Sequence, residues 1–241
     1  MKKIVLIFFI LVGAFLNGQN IVTTTSWVAA YAKGAGASNV YNFAPADMTH
    51  PPEYELKPGD IQKLVNADLI IFAGYESMVS ELKGPLGIND KKLLQIETGY
   101  SFDTIEKSIN KIADVIGSHN SAKKNLEEIY NTFSNNRESL KLSGLSNKKF
   151  IVHFHQLSIV KELGLNIVGT FGPGPIKPSE LSVLMELNAD IIIDNIHSPI
   201  GKSLLEIIPK AKYVSFVNFP GTMGTETILD VIKYNLNELE R

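Results

Sequence analysis

"KPGDIQKLVNADLIIFAG", residues 57–74, decides the fold, because the chain writes it twice. The second copy, "KPSELSVLMELNADIIIDN", occupies residues 177–195. Each puts Pro at a helix start and an acidic residue in the first turn, then runs through Asn-Ala-Asp into an apolar strand. A helix leading into a buried strand is part of a βαβ unit. The offset between the copies is about half the chain, which predicts two similar α/β lobes.

Working outward from these copies, the candidate strands fall into two sets. The first is Ile21–Thr25, Val40–Phe43, Leu69–Ala73 and Leu93–Ile96; the second is Phe150–Phe154, Asn166–Gly169, Ile191–Asp194 and Tyr213–Val217. The runs are rich in Ile, Val and Phe and lack strict alternation, as buried parallel strands do. Between the sets, Ser121–Leu142 carries Leu126, Ile129, Tyr130 and Phe133 at helical spacing with charges elsewhere. It reads as one long helix joining the lobes. The expected division is a first lobe over 19–118, a linking helix over 119–145 and a second lobe over 146–241.

Composition narrows the function. The chain of 241 residues is 44% hydrophobic and 20% charged, with a net charge of −2 and no cysteine. Nothing here suits nucleic acid, and disulfides, thiolate metal sites and Cys nucleophiles are excluded. Met1-Lys2-Lys3 precedes an apolar run from Ile4 to Leu16. That run is short for a membrane span and reads as a signal peptide over residues 1–18, without a lipoprotein cysteine. A periplasmic or secreted location is expected.

In open α/β sheets, ligands bind outside the carboxyl ends of the strands. The loop "ADMTHPPEYELKPGD" (46–60) places His50 at that edge, after the second strand. His155 ends the strand "FIVHFH", and His197 follows the strand "ADIIIDNIH". His153 lies two residues before His155, on the same face of the strand, whereas His119 falls at a helix start and reads as solvated. Neutral imidazole is the commonest protein metal ligand, and His with carboxylate suits zinc, manganese or iron. Candidate companions are Glu53, Glu55, Glu76, Asp194 and Asn218, with Glu55 an alternative helix cap and Asp194 able to orient a ligand. Trp27, Tyr75 and the "FGPGPIKP" loop (171–178) are candidates to wall the same cleft. No HExxH motif or nucleophile elbow is present.

These pieces resemble the periplasmic substrate-binding proteins of zinc/manganese ABC transporters, a family with cell-adhesion members. The resemblance rests on "HPPEYELKPGDIQKLVNADLIIFAG", "VHFHQ", "GLNIVGTFGPGPIKPSEL" and "VNFPGTMGTETILDVIKYNL", and it covers nearly all of the chain after residue 18. It implies two four-stranded parallel sheets joined by a rigid helix, and a metal ion held between them for delivery to a membrane permease. By position His50 and His155 match family ligands, although the spacing from Gly164 favours His153. The family's last ligand, an Asp, is Asn218 here, and its His in an Asp-Pro-His-x-Trp stretch is absent from "ETGYSFDT" (97–104). His197 or His153, with Glu53 or Asp194, would have to rebuild the site.

The reading is therefore a monomeric, non-catalytic binding protein for zinc, or manganese, with affinity falling below about pH 6 as imidazoles protonate. Two rivals stand beside it. A metal chelate would need an open cleft lined with aromatic or basic residues, and the sequence places few of either near the histidines. A small metallohydrolase would need an open coordination position and a base such as Glu53.

Overall fold

The computed structural model describes residues 19–84 and 86–241; the segment read as a signal peptide lies outside them. Its first half runs β1 (Ile21–Thr23), α1 (Ser26–Gly34), β2 (Val40–Asn42), α2 (Pro58–Asn66), β3 (Leu69–Phe72), α3 (Val79–Lys83), β4 (Leu93–Gln95) and α4 (Phe102–Ile116). The long helix α5 (His119–Leu142) follows. The second half runs β5 (Lys149–His153), α6 (Leu157–Glu162), β6 (Asn166–Phe171), α7 (Pro178–Glu186), β7 (Ile191–Asn195), α8 (Leu204–Ile207), β8 (Lys212–Phe216) and α9 (Ile228–Glu240). Each expected strand is present within two residues of its expected ends. Among the described residues no helix is long and apolar enough to cross a membrane.

The strands form two four-stranded parallel sheets of the same order, β2-β1-β3-β4 and β6-β5-β7-β8. The central strands β1, β3 and β7 are buried along their whole length, and β5 from Phe150 onward. They are covered on both faces, which is why they read as unbroken apolar runs. The outer strands β2 and β4 are only half-buried.

The repeated stretch has a repeated physical cause. Pro58 and Pro178 open α2 and α7, where a missing N–H is harmless. Asp60 and Glu180 accept the free N–H of Lys57 and Lys177, at 2.8 and 3.0 Å. Asp60, rather than Glu55, is therefore the carboxylate that caps α2. Asp68 then accepts the N–H of Asn20 at 2.8 Å, and Asp190 accepts that of Lys149 at 2.8 Å. Each Asp in Asn-Ala-Asp thus latches its strand to the strand beside it.

The lobes share one core. Ile21, Leu69 and Ile71 of the first sheet and Phe150, Val152, Ile191 and Ile193 of the second belong to a single apolar cluster. α1, α4, α5, α6 and α9 complete it, with α5 contributing Leu126, Ile129, Phe133 and Leu140. The opposite sheet faces pack separately, against α2 and α3 in one lobe and α7 and α8 in the other.

Glu162 adds a polar tie between three helices. Its carboxylate accepts the Phe102 N–H of α4 at 2.9 Å and pairs with Arg137 of α5 at 2.8 Å, while Glu162 itself ends α6. Glu162→Ala leaves a helix-terminal N–H and a guanidinium without their acceptor. It should lower the unfolding free energy by about 1–3 kcal/mol. Lys107→Ala, which removes an exposed, solvent-screened pair with Asp103, should leave the urea midpoint essentially unchanged. Urea denaturation of both variants checks this, and equal effects would refute the tie.

Candidate metal centre

The carboxyl ends of all eight strands face one cleft of about 420 Å³. Every strand-end loop supplies a wall residue: Thr25, His50, Tyr75 and Thr98 from the first lobe, and His155, Pro173, His197 and Asn218 from the second. The lobes also touch at the rim. Gly221, at φ 117°, lies so close to Ala46 that a Cβ there would stand 2.3 Å from the Ala46 Cβ, so only glycine fits.

His50 precedes a 3-10 turn over Pro51–Glu53. Ser77 pins that turn by donating its N–H to the Pro52 carbonyl at 2.9 Å. His50 is exposed at the cleft wall. His155 sits in the turn that follows β5, and its side chain lines the cleft. Desolvation lowers its pKa. His197 is oriented from two sides. Its N–H donates to Asn195 Oδ1 at 3.2 Å, and its ring stacks on Phe219 at 3.7 Å between centroids. Burial lowers its pKa to about 4, opposed by the Phe219 backbone. Asn218 follows Val217, whose N–H and C=O are both held by the Asn235 side chain of α9, at 2.7 and 2.9 Å.

Three buried side-chain atoms in this wall have no partner: the donor Trp27 Nε1, and the ligand-capable His197 Nε2 and Asn218 Oδ1. An unsatisfied buried polar atom costs on the order of 1–3 kcal/mol. An amide oxygen only accepts, so what relieves Asn218 is a donor or a cation.

His153 is not a wall residue. It is fully buried, its Nδ1 accepts the His155 N–H at 3.1 Å, and its ring meets Phe171 edge-on. Of the two histidines that the sequence left open, His155 faces the cleft. Glu53 and Glu55 are exposed and outside the lining. Asp194 is fully buried and engaged: it accepts the N–H groups of Asn195 and Gly201, at 2.8 and 2.7 Å, and the Tyr213 hydroxyl at 2.7 Å. Glu76 does the same work in the first lobe, accepting the Ala73 and Gly74 N–H groups at 2.9 and 2.7 Å and the Thr24 hydroxyl. Both carboxylates therefore shape loops and leave the cleft wall uncharged. His119 is exposed beside Asp114.

Trp27, Tyr75 and Phe219 wall the cleft with Pro51, Pro52 and Pro173. Trp27 and Tyr75 thus stand in the wall as the sequence suggested, and the expectation of few aromatics near the histidines is corrected by Phe219, which joins them and stacks on the His197 ring. Asn195 and Ser198 also line the cleft without having been anticipated. The only available signal was their position beside His197 after a buried strand. Among the described residues, no three His, Asp or Glu side chains lie close enough together to hold a metal ion by themselves.

No family model and no curated protein matches the chain. Solved structures do share its two-lobe fold. AdcAII of Streptococcus pneumoniae superposes with a TM-score of 0.69 at 15% identity, over 91% of this chain and 97% of that one. The laminin-binding protein Lmb of Streptococcus agalactiae, described as an adhesin with metal-transporting activity, gives 0.70 at 18%, over 92% and 100%. A manganese-bound periplasmic metal-binding protein of Candidatus Liberibacter asiaticus gives 0.66 at 14%, over 91% and 97%.

The burial of His153 has a consequence for stability. Desolvation, with a smaller effect from His155, lowers its pKa to about 4, against the pull of Asp194. In the unfolded chain an imidazole titrates near 6.5. Between those values the unfolded state binds more protons, so stability falls as pH drops from about 6.5 to about 4. His153→Asn keeps an acceptor for the His155 N–H and removes the titration. Its urea midpoint should depend less steeply on pH across that window than the wild type's, and an unchanged slope would refute the assignment.

Proposed function

We propose that the protein is an extracytoplasmic binding protein for a divalent transition metal, zinc ahead of manganese, which it passes to the permease of an ABC importer. It acts without catalytic turnover and as a monomer. One observation carries the reading: His50, His155, His197 and Asn218, from four loops and two lobes, line a single cleft in which two ligand-capable atoms are buried without partners. Imidazole suits zinc, whereas manganese is better served by carboxylate and other oxygen ligands. No carboxylate lines the cleft, which favours the zinc side of the pair. The fold shared with metal-binding proteins, one of them manganese-bound and one metal-transporting, supports the reading of class. The apolar N-terminal run supports export.

Trp27 is the only tryptophan of the chain and lies in the cleft wall, so its emission reports on cleft filling. Titration of chelator-stripped protein with Zn²⁺ should shift that emission. His50→Ala, His155→Ala and His197→Ala should each weaken binding at least ~10-fold, about 1.4 kcal/mol, and Mn²⁺ should bind more weakly than Zn²⁺. Full binding in all three variants would overturn the reading.

The expected pH profile follows from burial. A metal competes with protons for neutral imidazole, and the His197 pKa is lowered to about 4. Its share of the affinity should persist through pH 6, begin to fade near pH 4 and be lost only below it. A His197→Ala variant should lose this late component, and an identical profile would argue against His197 as a ligand.

A further inference from the structure

We infer that the cargo enters this cleft as a complex of the metal ion with a small chelating carboxylate. This rests on the metal reading above and specifies what accompanies the ion. Three features of the cleft point the same way.

The first is charge. Asp, Glu, Lys and Arg are all absent from the residues that line the cleft. Of the carboxylates at the strand ends, Glu76 and Asp194 are saturated by backbone N–H and hydroxyl donors, and Glu97, exposed beside Thr98, lies outside the lining. A dication held only by imidazoles and an amide would keep its full double charge against a wall without any anionic group. Burying uncompensated charge is costly. An anionic ligand arriving with the metal removes that cost.

The second is ligand number. His50, His155 and His197 line one cavity, yet no three such side chains among the described residues stand close enough to enclose an ion. The shared core of both lobes and the Ala46–Gly221 contact at the rim limit how far closure can bring them together. A chelator that fills part of the coordination sphere leaves the protein to supply only the remaining positions.

The third is space. A cavity of about 420 Å³ far exceeds the ~30 Å³ share of one water molecule and falls in the range of small-organic-ligand pockets. Its walls match such a ligand. Trp27, Tyr75 and Phe219 offer flat apolar surface, and Thr49, Thr98 and Ser198 offer hydroxyls to carboxylate oxygens. A bare ion uses neither.

The test compares binding at matched free Zn²⁺ activity. Chelator-stripped full-length protein is titrated with Zn²⁺ in a non-coordinating buffer, with Zn²⁺–citrate and with Zn²⁺–histidine, the last two distinguishing a hydroxycarboxylate from an amino-acid chelator. Native mass spectrometry follows the bound species. At least one chelator should raise the apparent affinity ~10-fold or more, and the bound mass should contain one zinc and at least one organic anion. Zn²⁺ binding equally tightly at matched activity with a mass of metal alone would overturn the inference while leaving the metal site intact. Citrate or histidine binding as well without metal would overturn it too. Failure of every arm, including Zn²⁺ alone, would overturn the metal reading together with the inference.

Discussion

The structure depends on a backbone latch used once in each lobe. Asp68 takes the Asn20 N–H just before β1, and Asp190 takes the Lys149 N–H at the start of β5. Each bond sits at the amino end of the sheet and sets the register of β3 on β1, or of β7 on β5. A parallel pair slipped by one residue would turn every side chain to the wrong face. The latch therefore determines which residues leave the carboxyl ends, and in which direction. With the same strand order in both lobes, the two switch points face each other, and the cleft is where they meet.

That geometry separates shaping from binding. Glu76, just past β3, and Asp194, near the end of β7, are held by backbone donors of the loops that follow. The surfaces left to the cargo are imidazole, amide, hydroxyl and aromatic. His197 is locked by Asn195 and Phe219, and Asn218 by the hold of Asn235 on Val217. Such second-layer contacts fix the orientation of these side chains in advance of any ligand. The second lobe is thus the more preorganised side. His50 and Tyr75, in the first lobe, are exposed and face solvent across the gap.

Much of the fold was legible because its signals are local. Unbroken runs such as "LIIF" and "IIID" mark strands covered on both faces, and Pro58 and Pro178 mark helix starts. His50, His155, His197 and Asn218 were placed by one rule, the carboxyl-edge position, and they do line the cleft. What was not legible depends on partners distant in sequence. Nothing in "HFH" says that the His153 Nδ1 is spent on the His155 N–H. Nothing around Asp194 announces Tyr213 and Gly201 as its donors. Glu53 looked eligible because it neighbours His50, yet the turn it ends points it to solvent. Trp27 and Tyr75 were legible as wall candidates and do line the cleft, whereas Phe219 was not, because only the topology brings its loop beside them.

The continuous core sets how the cleft can respond to cargo. In a two-domain clamp with separate cores, closure is a hinge motion that costs little packing. Here α1, α4, α5, α6 and α9 bury apolar side chains of both sheets in one cluster, and Glu162 ties α4, α5 and α6. Large closure would shear that cluster, and close-packed interiors resist such strain. Selectivity must then come mainly from a cavity already near its working shape, with adjustment confined to loops such as the one bearing His50. A preformed, uncharged, aromatic-walled cavity discriminates by the size and charge of the whole object that enters it. The charged residues missing from the wall therefore bear on that discrimination as much as the residues present.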